Sequence, residues 1–300
     1  MIRWALWGVE DEIACAIATR LRGATVAACL EASDIHEKPK LCDAVAFFGR
    51  APLEPTVIER YLGAGLHVLL ATESCLPNEV LKALSVIARR ENVQLSLVNP
   101  DRCLSSRQLI KQQLDAGKLG DVGLVRVHRW EPVATESSLS PRRLPAPLVH
   151  DLDLVLWLIG KTPDVVYAIE QTGNQRDDSP GRCVQVHLGF AGGGMALIDF
   201  NDRLPPGDGY QSLSVIGSLG AAYADDHQNM QILYRGGQPL AVNAEEGVKQ
   251  FAALLQEFVD DLQTGRDLST SVTAWRDVLA VSDAVRRSLE SRQAIPSEGR

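Results

Sequence analysis

Long apolar runs are missing from this sequence. None approaches the roughly 20 residues needed to cross a bilayer, and the opening MIRWALWG patterns as a strand meeting a glycine, unlike a charged leader. Membrane insertion and secretion are therefore not expected. Basic clusters are missing too, and a formal net charge of −8 offers no localised positive surface to a phosphate backbone, which argues against a nucleic-acid partner. The six cysteines (Cys15, Cys29, Cys42, Cys75, Cys103, Cys183) contain no C-x-x-C pair, and most sit in apolar surroundings. They are expected to be reduced small hydrophobes in a cytoplasmic protein, with no role as metal ligands. Internal repeats and low-complexity tracts are absent. What remains is 300 residues, 45% of them hydrophobic, enough for one or two domains that bury real cores unaided.

The first 120 residues alternate strands and helices, the pattern of an open parallel sheet covered on both faces. Strands are expected at 2–7, 24–30, 43–48, 67–70 and 93–98, and helices at 13–21, 55–62, 78–90 and 105–115. From residue 122 the rhythm changes to alternating segments at 123–133, 165–172, 182–190, 195–201, 211–216 and 230–234, which describe an antiparallel or mixed sheet. Gly192, Gly193 and Gly194 join two of these strands with no helix following, so they predict a hairpin turn, not a phosphate loop. Helices at 245–264 and 273–290 close the chain, and residues 136–147 predict a surface loop. The fold class is therefore α/β: a shortened Rossmann-like parallel sheet over 1–120, then an α+β domain with a large mixed or antiparallel sheet over 121–300.

The chain is organised around PLVHDLDLVLWLIG, residues 147–160. Residues 154–159 are apolar nearly all round, as in a buried helix, and Gly160 suits a left-handed cap. His150 and Asp153, at i and i+3, share a face near the helix start. Two readings stand side by side. In one, Asp151 and Asp153 complement the helix dipole and His150 is a hydrogen-bonded core residue. In the other, His150 and Asp153 form part of a site.

The layout resembles the Gfo/Idh/MocA group of NAD(P)-dependent oxidoreductases. AGLHVLL (64–70) is similar to its A-G-K-H-V-L-V strand, and DAGKLGDVGLVRV (115–127) to its G-x-I-G-E-V junction. HDLDLVLWLIG (150–160) resembles its H-x-x-D-x-x-x-x-L-x-G helix. FAALLQEFVDDLQTGRDLSTSV (251–272) resembles its closing helix, and Arg102 fits an arginine that follows the preceding strand. The resemblance implies NAD or NADP as cofactor and a sugar or polyol as ligand. It implies Gly8, Glu31 and Arg102 as cofactor-binding positions, and His150, oriented by Asp153, as the base taking an alcohol proton.

The motifs also depart from that pattern. A dinucleotide turn needs glycines so that backbone N–H groups reach the pyrophosphate. Only Gly8 is present, followed by Val9, Glu10, Asp11 and Glu12, whose side chains can cap the helix themselves. Two like charges about 4 Å apart cost on the order of 1 kcal/mol in water and about 4 at an effective dielectric of 20, so a dianionic group is disfavoured here. The stretch from Glu31 to Cys42 is too short for a full crossover helix and strand. Thr72 stands where the resemblance places a lysine, and Ala146 where it places an aspartate. Solvated loop arginines account for Arg142 and Arg143. The expectation is a family-like protein with a degenerate cofactor site and weak or no dehydrogenase activity, serving as a ligand-binding, regulatory or partner subunit. A homo-oligomer through the second sheet fits this. The alternative is an active oxidoreductase with an atypical cofactor site.

Overall fold

The computed structural model describes residues 1–30, 42–49, 53–72, 76–132, 144–171, 181–205, 209–225, 230–234, 240–243 and 248–297. In chain order the elements are β1 (Ile2–Trp7), α1 (Asp11–Ala18), β2 (Ala24–Leu30), β3 (Ala44–Gly49), α2 (Pro55–Gly63), β4 (His67–Thr72), α3 (Asn78–Arg90) and β5 (Leu95–Leu97). A 3-10 turn (Pro100–Cys103) leads to α4 (Ser105–Asp115), β6 (Val122–Pro132) and α5 (Ala146–Ile159). Then come β7 (Val165–Glu170), β8 (Cys183–Gly189), β9 (Met195–Leu204), β10 (Tyr210–Gly217), β11 (Ala221–Asp225), β12 (Met230–Tyr234) and β13 (Leu240–Asn243). Helices α6 (Val248–Thr264) and α7 (Ser269–Ser291) and a short β14 (Ile295–Pro296) complete it.

The chain forms two compact units, and neither is continuous in sequence. Residues 1–104 and 246–276 make the first, and residues 105–245 and 277–300 the second. A single cut at residue 120 therefore does not describe the packing, because α4 groups with the second unit and α6 with the first.

In the first unit five strands pair in the order β2-β1-β3-β4-β5, all parallel. Trp4 and Leu6 of β1 join a core with α1 and α6, where Trp4 meets Phe258 edge-on at 5.2 Å. Trp7 of the same strand instead meets Phe47, 6.0 Å away, which in turn meets Tyr61 of α2. A strand buried on both faces explains why β1 reads as a continuous apolar run and not as an alternation. Helix α3 is amphipathic, with Leu81, Leu84 and Ala88 buried, Glu79 in its first turn and Arg89 and Arg90 in its last, complementing the dipole. Helix α1 begins at Asp11, two residues before the sequence reading places it.

The second unit is built on a nine-stranded sheet, β13-β12-β11-β10-β6-β9-β8-β7-β14. It is mixed: β6 and β9 run parallel, and every other pairing is antiparallel. Val125 and Val127 of β6, Ile198 and Phe200 of β9 and Val184 and Val186 of β8 are buried on one face. Helix α5 packs on β6 and β9. On the other face Trp130, Tyr167, Ile169, Met195 and Ile216 are exposed. Gly192, Gly193 and Gly194, all at positive φ, turn β8 into β9 as the hairpin expected. Strands β11, β13 and β14 escape the sequence reading. Among the described residues, no helix is long and apolar enough to cross a membrane.

Candidate functional site

All strands of the first unit run the same way, so their carboxyl ends share one edge of the sheet. Strand β1 pairs with β2 on one side and β3 on the other. The connections therefore diverge at β1/β3, the topological switch point where open α/β sheets place a ligand crevice. Gly8 sits there. Its φ is +78°, and a Cβ on it would stand 2.2 Å from the carbonyl oxygen of Phe48, at the end of β3. Glycine is thus required by strand packing alone.

Glu10 occupies the N-cap position of α1 with an extended backbone, but its side chain makes no capping hydrogen bond. This corrects the expectation that the acidic side chains cap the helix. Glu10, Asp11 and Glu12 are all exposed, the latter two in the first helical turn. At the end of β2, burial and a hydrogen bond to Asp11 push the Cys29 thiol up to about 11, so it stays protonated beside that carboxylate.

At the same edge, the 3-10 turn after β5 carries Arg102, half-buried. Asn99 holds the turn by accepting from Asp101 N at 3.0 Å, and Gln250 of α6 donates to Pro100 O at 2.8 Å. Thr72 ends β4. Gly8, Thr72 and Arg102 therefore come to one sheet edge. Glu31, Glu73 and the whole Glu31–Lys40 stretch lie outside the described residues; among those described, β2 is the edge strand of the sheet.

In the second unit α5 starts after Pro145, includes Pro147 in its first turn and ends at Gly160, whose φ of 72° is left-handed. His150, Asp151 and Asp153 are 3%, 0% and 1% exposed, so three polar side chains enter the interior from one helical turn. Asp151 does more than complement the dipole. Arg129 of β6 donates to both its oxygens, Nε at 3.0 and 2.9 Å and Nη2 at 2.8 Å, a forked, charge-assisted contact. Arg129 also reaches Glu131 at 3.2 Å. The helix start that carries His150 is thereby tied to the sheet. His150 and Asp153 share a helix face, as their spacing requires. Ala146 is the first residue of α5, and Lys111 of α4 lies 5.8 Å from the Trp157 ring.

Arg129 escapes the sequence reading. The available signal is its odd position in β6, in step with Val125 and Val127 and hence facing the helix. On the opposite face His128 Nδ1 lies 3.2 Å from Asp199, which also accepts from Trp130 Nε1 at 3.3 Å, a cluster equally unforeseen. Arg142, Arg143 and most of the loop before α5 lie outside the described residues. Among the described residues, no three His, Cys, Asp or Glu side chains converge to hold a metal ion.

Residues 108–223 match the model of the GFO/IDH/MocA C-terminal domain. No curated protein matches the chain in sequence. Solved structures with the same fold include the aldose-aldose oxidoreductase of Caulobacter crescentus complexed with glycerol, 17% identical with a TM-score of 0.80 over 98% of this chain and 99% of that one. The UDP-N-acetylglucosamine 3-dehydrogenase of Acidithiobacillus ferrooxidans is 21% identical with a TM-score of 0.76, covering 97% and 98%. The scyllo-inositol dehydrogenase of Lactobacillus casei, solved with NAD(H) and scyllo-inositol, is 18% identical with a TM-score of 0.73, covering 99% of each chain. At these identities the structures speak for the fold. The domain match at residues 108–223 and the shared two-unit α/β fold along its length make this chain similar to the Gfo/Idh/MocA oxidoreductases.

Proposed function

We propose that this protein keeps the family's scaffold around a degenerate NAD(P) site, has weak or no dehydrogenase activity, and acts as a ligand-binding, regulatory or partner subunit. The acidic turn carries this reading. Three exposed carboxylates stand at the start of α1, where a dinucleotide's pyrophosphate would have to approach, and each repels it. The residues present do not fit a dianionic group. Gly8 offers little in compensation, because its lack of a side chain is already required by the Phe48 carbonyl. Thr72 in place of a lysine and Ala146 in place of an aspartate weaken the case for hydride chemistry further. Replacing Glu10→Gln, Asp11→Asn and Glu12→Gln together is expected to raise dinucleotide affinity while α1 remains folded by circular dichroism. Unchanged affinity in a folded variant would move the obstacle to the stretch between Glu31 and Cys42.

A second reading, an active NAD(P)-dependent oxidoreductase with an atypical cofactor site, is favoured by one observation. His150 and Asp153 are both kept, buried on one face of α5. Either way the ligand we favour is a sugar, a polyol or a related carbonyl compound, since similar structures hold the polyols glycerol and scyllo-inositol. In the second reading His150 takes a proton from a ligand hydroxyl and Asp153 orients the ring. Leu152 and Leu154, fully buried, anchor the helix without the imidazole, since such side chains contribute roughly 1.5–3 kcal/mol each. His150→Asn or His150→Gln is therefore expected to fold. Thermal unfolding against a panel of sugars, polyols and sugar acids should reveal a ligand that stabilises the wild type and not the variant. A large loss of stability with no discriminating ligand would make His150 a core residue.

The exposed apolar side chains on the open face of the nine-stranded sheet support a homo-oligomer formed through that face. The five cysteines among the described residues are free of disulfides, which suits a reducing, cytoplasmic setting.

A further inference from the structure

A concavity lies in the first unit, at the opposite edge of its sheet from the Gly8 turn. Helix α3 runs back against the strands, so its last turn reaches the amino edge, where Leu95 begins β5. Between these elements and the first turn of α7 is a groove of about 230 Å³. Its floor is apolar, formed by Val93, Leu95 and Val272, all at least nine-tenths buried. Two opposite charges line it, Arg89 and Asp267. They lie near enough for Arg89 to act electrostatically on Asp267, yet no ion pair joins them among the described residues.

Each charge is ready for a ligand. Asp267 accepts from the backbone N and the Oγ of Ser269, both at 2.8 Å, and these hydrogen bonds hold its carboxyl below the usual carboxylate range. It is ionised at neutral pH and keeps lone pairs free. The Arg89 guanidinium and the Gln94 side-chain amide, which also lines the groove, make no hydrogen bond to any described residue. The volume falls below the roughly 300 Å³ at which drug-sized pockets begin, so a nucleotide is too large. The lining asks for a small molecule with a positive group, a negative group and an aliphatic body.

We infer that this groove binds a free aliphatic α-amino acid, with its carboxylate on Arg89, its ammonium on Asp267 and its side chain on the Val93, Leu95 and Val272 floor. Both charges are needed together, which separates this ligand from a simple anion, an amine or a peptide terminus. The site is independent of the dinucleotide edge and does not rest on the activity proposed above.

Calorimetric titration of the full chain with L-leucine tests it, with N-acetyl-leucine and leucine methyl ester as analogues lacking one charge each. Asp267→Asn keeps a side chain able to cap α7, and Arg89→Gln removes a charge from an exposed position. Saturable leucine binding in the millimolar range is expected. Each analogue, and each variant with leucine, should bind at least about tenfold more weakly, because one charge-assisted contact is lost, while thermal midpoints without ligand stay unchanged. Absence of saturable binding, analogues that bind as tightly as leucine, or variants that bind like the wild type would each overturn the proposal.

Discussion

Asp151→Ala is expected to destabilise the second unit by about 3–5 kcal/mol, because it strands the Arg129 guanidinium without its main partner. The carboxylate is fully buried and takes three N–H contacts from one arginine, so its removal leaves a charge in a medium that solvates it poorly. The loss should appear as an earlier urea transition in the signal that reports the second unit, with the first unit's transition unmoved. Removing both partners is a different experiment. Arg129→Met with Asp151→Leu replaces the pair by apolar groups and is expected to recover most of the loss, since neither buried charge remains and only the partly exposed Glu131 loses a contact. A single variant that costs less than about 1 kcal/mol would mean that the pair is hydrated and does not anchor α5.

Gly8→Ala is expected to cost the first unit about 2–4 kcal/mol, from two sources that act together. A φ of +78° is unfavourable for alanine by about 1–2 kcal/mol, and the new methyl would stand 2.2 Å from the Phe48 carbonyl oxygen, forcing β1 and β3 apart at their ends. The decisive feature is that this loss should be present with no dinucleotide in the buffer. Were Gly8 kept only so that a pyrophosphate can approach, alanine would leave the apo protein's thermal midpoint where it was. An unshifted midpoint would therefore contradict the packing role assigned to this glycine.

Local structure was legible where local signals were strong. Helices α3 and α4 begin and end where the sequence places them, α3 because Pro77 and the run from Glu79 to Arg90 set its start, stripe and charged ends. The glycine cap of α5 and the triple-glycine hairpin follow from backbone sterics at single positions. The nine-strand order was not legible, because it depends on β6 pairing in parallel with β9, a contact between segments some seventy residues apart that no periodicity encodes. Strand β13 has only four residues, and β11, AAYAD, is mostly alanine, so neither carries an alternation that stands out from a loop. At the site, His150 and Asp153 stand out because polar residues interrupt an apolar helix. Arg129 does not, since an arginine in a half-polar strand looks like any solvated side chain until α5 is seen packed on β6.

The proposed loss of tight dinucleotide binding at the acidic turn after β1 is tested most directly by calorimetric titration of the purified wild-type chain with NAD, NADH, NADP and NADPH. No dissociation constant tighter than about 1 mM, equivalent to roughly −4 kcal/mol, is expected. A micromolar constant for any of the four would contradict it and make the active oxidoreductase the better description.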